Sequence, residues 1–375
     1  MCDVPDLRFP EFTDEWGSIT IKEACSEFQS GKNIKAEMIT GQGLYPVYGG
    51  NGLRGFTESY NHDGDYILIG RQGALCGNIR KVTGKTYVTE HAIAVCASKE
   101  NETTFLQYLF QKMKLGQYSD QSAQPGLAVN KLLRLNINVP SKIEQAKIAK
   151  ILSLIDERII TQNKIIEKLQ SLIKGIIVSH YSTTAHTIKV KIRELGEAYS
   201  TMVMSKEQLT NDGNLCVFYG ELFTLYGCVI DKVKSRTSLE IVSSTLSHGR
   251  DLLFPASTTV DAVSLIAPSA LMQKGIILGG DMFGIKVSEA YNPIYLSYYF
   301  NYIANKRLAK YAKGTTIIHL HYNEIANVAI ELPNIEEQDK IVSTILEYSA
   351  KLSIEETILE KLFDLKQYLL KQLFI

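Results

Sequence analysis

The clearest pattern along the chain is a run of apolar residues spaced alternately by four and three positions, and it occurs twice. The first run covers residues 148–176 and the second covers residues 341–369. A heptad seam sustained over about four heptads predicts a long helix that packs against another helix. At about 1.5 Å of rise per residue, a helix of about 40 residues is roughly 60 Å long. We therefore expect each helix to act as a spacer.

The duplication extends beyond the seams. Residues 121–181 align without a gap on residues 314–374 at a constant offset of 193, so that Pro140 falls on Pro333. In both copies a strand-like segment ends at the proline and the helix pattern follows. A repeat of this length predicts two units, each a globular part followed by a helix. Such an arrangement favours a molecule that reads something twice.

One polar position interrupts each seam. Gln162 and Glu355 occupy equivalent slots, and each lies at the midpoint of its own seam. If the two helices of one chain pack antiparallel about that midpoint, the two side chains meet in a single polar layer that fixes the register. The alternative is that both side chains face solvent.

The segments before the helices have the alternation and turn residues of strands. In the first half we predict strands at residues 66–69, 92–95 and 135–139 and a helix at 105–114. In the second half we predict strands at residues 222–225, 251–254, 275–278 and 328–332, with a longer helix from Pro293. The expected fold class is α/β (mixed α+β). We expect globular domains over residues 1–140 and 183–333 and helical spacers over 141–182 and 334–375.

Charge and cysteine content restrict the functional classes. The chain of 375 residues has 40 basic and 40 acidic residues, which argues against binding nucleic acid mainly by neutralising phosphates. A protein that reads base edges remains possible, because a partner can supply phosphate contacts. The six cysteines form no CxxC pair, no leader-like segment opens the chain, and no apolar run reaches membrane-spanning length. We expect a cytoplasmic protein with reduced thiols and no membrane partner.

Catalytic signatures are incomplete throughout. The Gly-Lys-Thr at residues 84–86 lacks the upstream glycine of a phosphate loop, which is replaced by Ile79. Asn292-Pro293-Ile294 lacks the second proline and the aromatic residue of an adenine methyltransferase loop, and His319 and His321 have no cysteine or acidic cluster beside them. We expect no catalytic residues, metal or cofactor in this chain. Two alternatives stay open: a methyltransferase or nuclease with unrecognised motifs, and a purely structural coiled-coil adaptor.

Several motifs together resemble one known family. They are YPVYGGNGLRGF at residues 45–56, YILIGRQGALCGN at 66–78 and TEHA at 89–92, with LFPASTT at 253–259, LGGDMF at 278–283 and GTT at 314–316 in the second half. The opening LRFPEF at residues 7–12 and a Glu-Gln-x-Lys-Ile segment after each proline fit the same family. Their order and duplication resemble the DNA-specificity subunit of type I restriction–modification systems.

The resemblance implies a concrete role. Each globular part would be a target-recognition domain that reads one half of a split, asymmetric site in double-stranded DNA. The helices would set the number of unread base pairs and dock two modification subunits, which use S-adenosylmethionine to methylate adenine. Restriction subunits that use ATP and magnesium would complete the full complex. The specificity subunit itself would hold no cofactor.

Candidate DNA contacts lie in the loops of both domains. Arginine and glutamine can grip guanine and adenine edges with two hydrogen bonds, and hydroxyl, amide and lysine groups can contact phosphates or bases. Each such residue is also compatible with an ordinary solvated surface or a tight turn. The candidates are Arg54, Arg71, Gln72, Ser122, Gln124, Lys232, Lys234, Arg236, Ser257, Thr258, Thr259, Lys313, Thr315, Thr316 and His319.

Overall fold

The computed structural model describes residues 4–120, 126–184 and 186–375. The chain forms two compact units. The first combines residues 1–164 with residues 357–375, and the second comprises residues 165–356. Each unit is therefore a globular part together with pieces of both long helices.

The first unit is built mainly on antiparallel strands, with one parallel pair between β3 and β7. A four-stranded sheet has the order β2-β8-β5-β6, a three-stranded sheet has the order β4-β3-β7, and β1 pairs with β9. The strands are β1 Gly17–Thr20, β2 Cys25–Ser30, β3 Tyr45–Gly49, β4 Gly52–Thr57, β5 Asp65–Gly70, β6 Ile79–Thr83, β7 Tyr87–Val88, β8 Ala92–Ala97 and β9 Asn136–Val139. The helices are α1 Ile21–Ala24, α2 Thr103–Met113, α3 Val129–Leu132 and the long α4 Lys142–Thr183.

The core of the first unit lies between the four-stranded sheet and α2. Ile67 and Ile69 of β5 are fully buried against Phe105 and Phe110 of α2, as expected for a strand with one face on the core. Phe374, which follows the last long helix, packs against Phe105 with ring centroids 5.2 Å apart. The core of this unit is thus completed by a segment more than 250 positions further along the chain.

The second unit follows a similar plan with more strands in its central sheets. Two five-stranded sheets have the orders β11-β21-β17-β19-β14 and β12-β15-β13-β20-β16, while β18 pairs with β22 and β10 with β23. The strands are β10 Ile188–Lys191, β11 Gly196–Ser200, β12 Leu209–Thr210, β13 Asn214–Phe218, β14 Val229–Ile230, β15 Arg236–Thr237, β16 Leu246–His248, β17 Asp251–Pro255, β18 Ser257–Thr258, β19 Ser269–Leu271, β20 Lys274–Gly279, β21 Met282–Val287, β22 Ile318–His319 and β23 Ala329–Leu332.

The second unit also contains short helices and one long helix. They are α5 Glu221–Thr224, α6 Ala262–Leu265, α7 Pro293–Tyr299, α8 Asn305–Leu308, α9 Tyr322–Ile325 and the long α10 Ile335–Gln372. The helix predicted from Pro293 continues through a π-helical segment, Phe300–Ala304, into α8. It is longer than α2, as the sequence indicated. Asn292 caps its start by accepting hydrogen bonds from the amides of Ile294 and Tyr295.

The two long helices confirm the heptad prediction. In α4 the seam is buried at most positions, including Ile148, Leu152 and Ile159, and Gln162 is buried too. In the first unit Asp156 of α4 pairs with Lys366 of α10, and in the second unit His180 near the end of α4 lies 3.6 Å from Glu337 at the start of α10. Residues later in α4 therefore pair with residues earlier in α10, so the paired segments of the two helices run antiparallel.

One predicted strand is wrong. Residues 222–225 were expected to be extended, but they lie in the single helical turn α5 and the residue after it. A four-residue apolar run cannot distinguish a strand from a buried helical turn by periodicity. Here the Glu221 carboxylate accepts a hydrogen bond from the Phe218 amide, and the Glu221 carbonyl accepts one from the Leu225 amide at 2.9 Å. These bonds fix the turn. The other predicted strands and helices are confirmed within a few residues.

Candidate nucleic-acid interface

The β3–β4 hairpin of the first unit holds two arginine side chains against its turn. Gly52 has φ +107°, a conformation that favours glycine. A Cβ atom on Gly52 would lie 3.2 Å from the Arg80 guanidinium, and one on Gly49 would lie 2.8 Å from Cδ of Arg54. Arg54 was a sequence candidate, whereas Arg80 was missed. Both residues are exposed, so their guanidinium groups are free to meet a ligand.

The loop between β5 and β6 carries Arg71 and Gln72. The loop is closed at its base because the Gly70 amide donates to the Asn78 carbonyl at 2.9 Å and the Gly77 amide donates to the Gly70 carbonyl at 2.7 Å. The Gln72 side-chain oxygen lies 3.1 Å from Nδ1 of His91. Gln72 is exposed and Arg71 is half-buried. The loop is thus pre-organised, with Gln72 available at its surface.

The hairpin and this loop converge on one surface. A Cβ atom on Gly50 of the hairpin turn would lie 2.8 Å from the His91 carbonyl oxygen and 3.7 Å from the Arg71 amide nitrogen. The Arg71 amide in turn donates to the His91 carbonyl at 2.9 Å. We call the exposed part of this region, formed by Arg54, Arg71, Gln72, Arg80 and His91, the arginine surface. Ser122 and Gln124, which the sequence also singled out, lie outside the described residues.

In the second unit the corresponding candidates meet in a two-stranded ribbon. β18 and β22 pair antiparallel, with Ser257 opposite His319 and Thr258 opposite Ile318. Ser257 is 8% exposed, Thr258 and His319 are half-buried, and Thr259 is exposed. We call this pair of strands and the loops at its end the hydroxyl ribbon. Two sequence segments 60 residues apart are thereby brought side by side.

The loop leading into β22 contains Lys313, Thr315 and Thr316. The Lys313 amide donates to the His319 carbonyl at 2.8 Å and the His319 amide donates back at 2.7 Å. Both threonines are exposed in the turn between them. Nζ of Lys313 pairs with the Glu324 carboxylate at 2.9 Å. The turn therefore presents threonine hydroxyls beside a lysine that already has an acidic partner.

The two histidines noted in the sequence lie close together. The rings of His319 and His321 are nearly parallel, with an interplanar angle of 15° and centroids 6.1 Å apart. Nδ1 of His319 is 3.8 Å from the Asp281 carboxylate. Within residues 4–120, 126–184 and 186–375, no group of three histidine, cysteine, aspartate or glutamate side chains is arranged to hold a metal ion.

The basic run of Lys232, Lys234 and Arg236 forms a second exposed surface of this unit. The three residues alternate with buried Val233 and Thr237, as on the solvent face of an extended segment. The Arg236 guanidinium donates to the Gly213 carbonyl at 2.6 Å. Lys232 and Lys234 line a cavity of about 770 Å³ with residues of α4 and α10. This cavity shares Tyr226 and Tyr302 with the one beside the hydroxyl ribbon.

Tyr226 and Tyr302 line both cavities. Desolvation raises the pKa of Tyr226 and of Tyr302 above the ordinary phenol value. The Tyr226 hydroxyl accepts a hydrogen bond from the Lys234 amide at 3.0 Å. The two cavities therefore share an uncharged aromatic part of their lining.

The chain belongs to the type I restriction–modification DNA specificity family. The family model for the type I restriction modification DNA specificity domain matches residues 13–171 and again residues 187–363. Each match covers one globular part and most of the long helix that follows it. The two matches bear out the duplication seen in the sequence.

Curated relatives carry the same family name. The chain is 42% identical to the type I restriction enzyme EcoprrI specificity subunit of Escherichia coli over 154 residues, which is 40% of this chain and 38% of that protein. It therefore matches less than half the length of that relative. It is 24% identical over 328 residues to the putative type I restriction enzyme specificity subunit S.HindORF215P of Haemophilus influenzae, covering 83% of this chain and 82% of that protein.

Solved structures share the fold over the whole chain. The S subunit of a type I restriction-modification system from M. genitalium superposes with a TM-score of 0.67 at 17% identity, covering 99% of both chains. A chain from a study of complex assembly and conformational transition of the type I R-M system gives a TM-score of 0.57 at 14% identity, covering 97% of this chain and 98% of that one. Across the described part of the chain, no helix is long and apolar enough to span a membrane.

Proposed function

We propose that this chain is the sequence-reading subunit of a type I restriction–modification complex and is not itself an enzyme. The recognition domain of residues 1–140 reads one half of a bipartite DNA target, and the recognition domain of residues 183–333 reads the other. The observation that carries this proposal is the contrast between two surfaces on related frameworks. The arginine surface offers guanidinium and amide groups, whereas the hydroxyl ribbon offers threonine hydroxyls and a histidine.

The contrast matters because different side chains read different bases. Arginine bonds best to the O6 and N7 atoms of guanine, and glutamine to N6 and N7 of adenine. Hydroxyl groups accept or donate and so tolerate several bases. Two domains with the same framework and unlike surfaces would therefore read an asymmetric target. Phosphate contacts would come from the basic run and from partner subunits, in keeping with a net charge of zero.

We further propose that the helices of residues 141–182 and 334–375 set the spacer and dock two modification subunits. Both helices carry exposed apolar side chains at positions outside the heptad seams. In α4 these include Ile143 at 75% exposure and Ile160 at 56%, and in α10 they include Ile354 at 61%. A modification subunit that covers these side chains would remove their apolar surface from water. The cofactors S-adenosylmethionine, ATP and magnesium belong to the partner and restriction subunits, and the complex acts in the cytoplasm.

Base-resolution mapping of methylated adenine tests the proposal. The host is compared with and without this gene, and we expect one bipartite motif to lose its methylation when the gene is absent. Exchanging residues 1–140 for those of a relative should change one half of the motif and leave the other half intact. Methyl transfer to DNA by the purified chain alone, or an unchanged methylation map after deletion, would contradict the proposal.

A further inference from the structure

The hydroxyl ribbon presents two exposed aliphatic side chains at the same end. Val260 is 74% exposed and Ile317 is 50% exposed. Because Thr258 is paired with Ile318, both residues lie just beyond the same end of the ribbon. Both also line one cavity of about 840 Å³, whose lining includes Phe223 and Tyr226. The two side chains therefore border one concave, largely apolar site and are not scattered surface residues.

The position of Val260 is fixed by hydrogen bonds on both sides. Its amide donates to the Thr258 hydroxyl at 3.2 Å. The next residue, Asp261, accepts hydrogen bonds from the amides of Val263 and Ser264 at 2.8 and 2.9 Å and so caps α6. A side chain held in this way is pre-organised for contact, since little conformational freedom is lost when it binds.

The position of Ile317 is fixed by the turn before it. Gly314 has φ +112°, and a Cβ atom there would lie 2.0 Å from the Ile317 carbonyl oxygen, so the turn requires glycine. The mutual hydrogen bonds between Lys313 and His319 close the turn around Ile317. The loop thus holds an isoleucine outward where a polar residue would be expected on a solvated surface.

The polar groups around these two residues narrow the choice of ligand. A two-stranded ribbon fits the major groove of B-form DNA. The ribbon carries threonine hydroxyls and His319, and its lysine, Lys313, is paired with Glu324. Among the four bases only thymine presents a methyl group in the major groove, and apolar side-chain groups read it by direct contact.

Resting on the proposed function, we propose that Val260 and Ile317 determine specificity by seating the C5-methyl group of a thymine in the half-site read by the second domain. The two side chains remove the methyl group from water, and the neighbouring hydroxyls hold the base edge or the adjacent phosphate. The half-site read by the arginine surface has no such requirement. The two halves of the target would then be read through different chemical groups. One half would present a guanine or adenine edge, and the other a thymine methyl group.

The test replaces thymine by deoxyuridine, which removes only the methyl group. Duplexes carrying the mapped target are made with each thymine of the second half-site changed in turn, and Kd is measured for the full-length chain in complex with its modification subunits. We expect one position at which deoxyuridine weakens binding about 4-fold, the value for one buried methyl group. Any effect of deoxyuridine in the first half-site should not depend on Val260 or Ile317.

Variants then assign the effect to the ribbon. Val260→Ala with Ile317→Ala should weaken binding to the thymine duplex and abolish the difference between thymine and deoxyuridine. Val242→Ala is the matched control, because Val242 is 97% exposed in a different loop of the same unit, and it should retain the full difference. All three positions are exposed, so the substitutions leave the fold intact.

Three outcomes overturn the inference. They are a second half-site without thymine, binding that is unchanged by deoxyuridine at every position, and a double variant that keeps the full preference for thymine. In each of these cases specific binding of the mapped duplex over a scrambled one still supports the proposed function. If the complex shows no preference for the mapped duplex, the proposed function and this inference both fail.

Discussion

Gln145 and Gln338, which are separated by 193 positions, make the same two hydrogen bonds in their own units. Nε2 of Gln145 donates to the Pro140 carbonyl at 2.9 Å and its Oε1 accepts from the Glu102 amide at 2.9 Å. Nε2 of Gln338 donates to the Pro333 carbonyl at 2.8 Å and its Oε1 accepts from the Asn292 amide at 2.9 Å. Both side chains are at most 1% exposed. Gln145 thereby joins the start of α4 to the start of α2, and Gln338 joins the start of α10 to the start of α7.

Replacing either glutamine by leucine should destabilise its own unit. The change leaves a buried carbonyl and a buried amide without partners, which costs about 1–3 kcal/mol. For Gln145→Leu we expect faster hydrogen exchange at the Glu102 amide, and for Gln338→Leu at the Asn292 amide. Gln170→Leu, at an exposed position of α4, is the control and should leave both amides protected. Equal protection in all three variants would show that these bonds contribute little.

Removing arginines from the arginine surface should relax reading of one half-site only. Arg54→Ala and Arg80→Ala should each weaken binding by about 1–3 kcal/mol if the side chain grips a guanine edge. The loss should be confined to targets that match in the first half-site. Arg134 is exposed in the same unit, so Arg134→Ala serves as the charge-matched control. A loss that is uniform over all DNA sequences would instead assign the arginines to phosphate contacts. Binding by the variants would then depend less on salt concentration than binding by the unaltered chain.

Lengthening both helices by one heptad should lengthen the spacer of the methylated motif. Seven residues near the midpoint of each seam add about 10.5 Å, which is close to three base pairs at about 3.4 Å each. Insertion of four residues at the same points is the control, because it breaks the seam that a heptad preserves. Methylation mapping reads out the spacer. Half-sites that change along with the spacer would contradict a pure spacing role for the helices.

The polar positions of the seams should control register. Gln162 is 2% exposed and Glu355 is half-buried, and both lie at the midpoints of their seams. Changing both to leucine should loosen the register or alter the oligomeric state, because a buried polar layer excludes shifted pairings at a cost in stability. Light scattering and the precision of the methylated spacer measure the two effects. An unchanged mass together with an unchanged spacer would rule out a register role.

The ion pair of Arg8 and Glu144 should anchor the N-terminal segment to α4. Nη2 of Arg8 lies 2.8 Å from the Glu144 carboxylate, whose side chain is 2% exposed. The hydrogen bond to Glu144 raises the pKa of Arg8 above its ordinary value. Removing Arg8 leaves the largely buried Glu144 charge without its partner, which is destabilising. Arg8→Met should therefore lower the Tm, and adding Glu144→Gln should restore part of the loss.

The long helices and the duplicated plan could be predicted from the sequence because their signals are local or repeated. Heptad spacing located α4 and α10, and the fixed offset located the two prolines and the helix starts that follow them. Residues 222–225 were assigned wrongly because their helical turn is fixed by the Glu221 side chain and not by periodicity.

The candidate site was predictable only in part. Arg54, Arg71 and Gln72 stand out in glycine-rich loops of the sequence. Arg80 does not, because its proximity to Gly52 arises when the β5–β6 hairpin lies beside the β3–β4 hairpin. The pairing of Ser257 with His319 likewise depends on long-range strand contacts. Local sequence carries no signal for such neighbours, and the exposed position of Val260 and Ile317 was equally hidden.

The contribution of residues 357–375 to the first unit has a consequence for biosynthesis. Leu370, Leu373 and Phe374 fill the core around Phe105, yet the ribosome adds them only after the whole second unit. At about 5–20 residues per second, residues 165–356 take roughly 10 to 40 s to make. Throughout that interval the nascent first unit exposes an unfilled apolar cleft. The first unit therefore completes its core only after the second unit has been made, and a chain halted before Leu370 would be a substrate for chaperones and proteases.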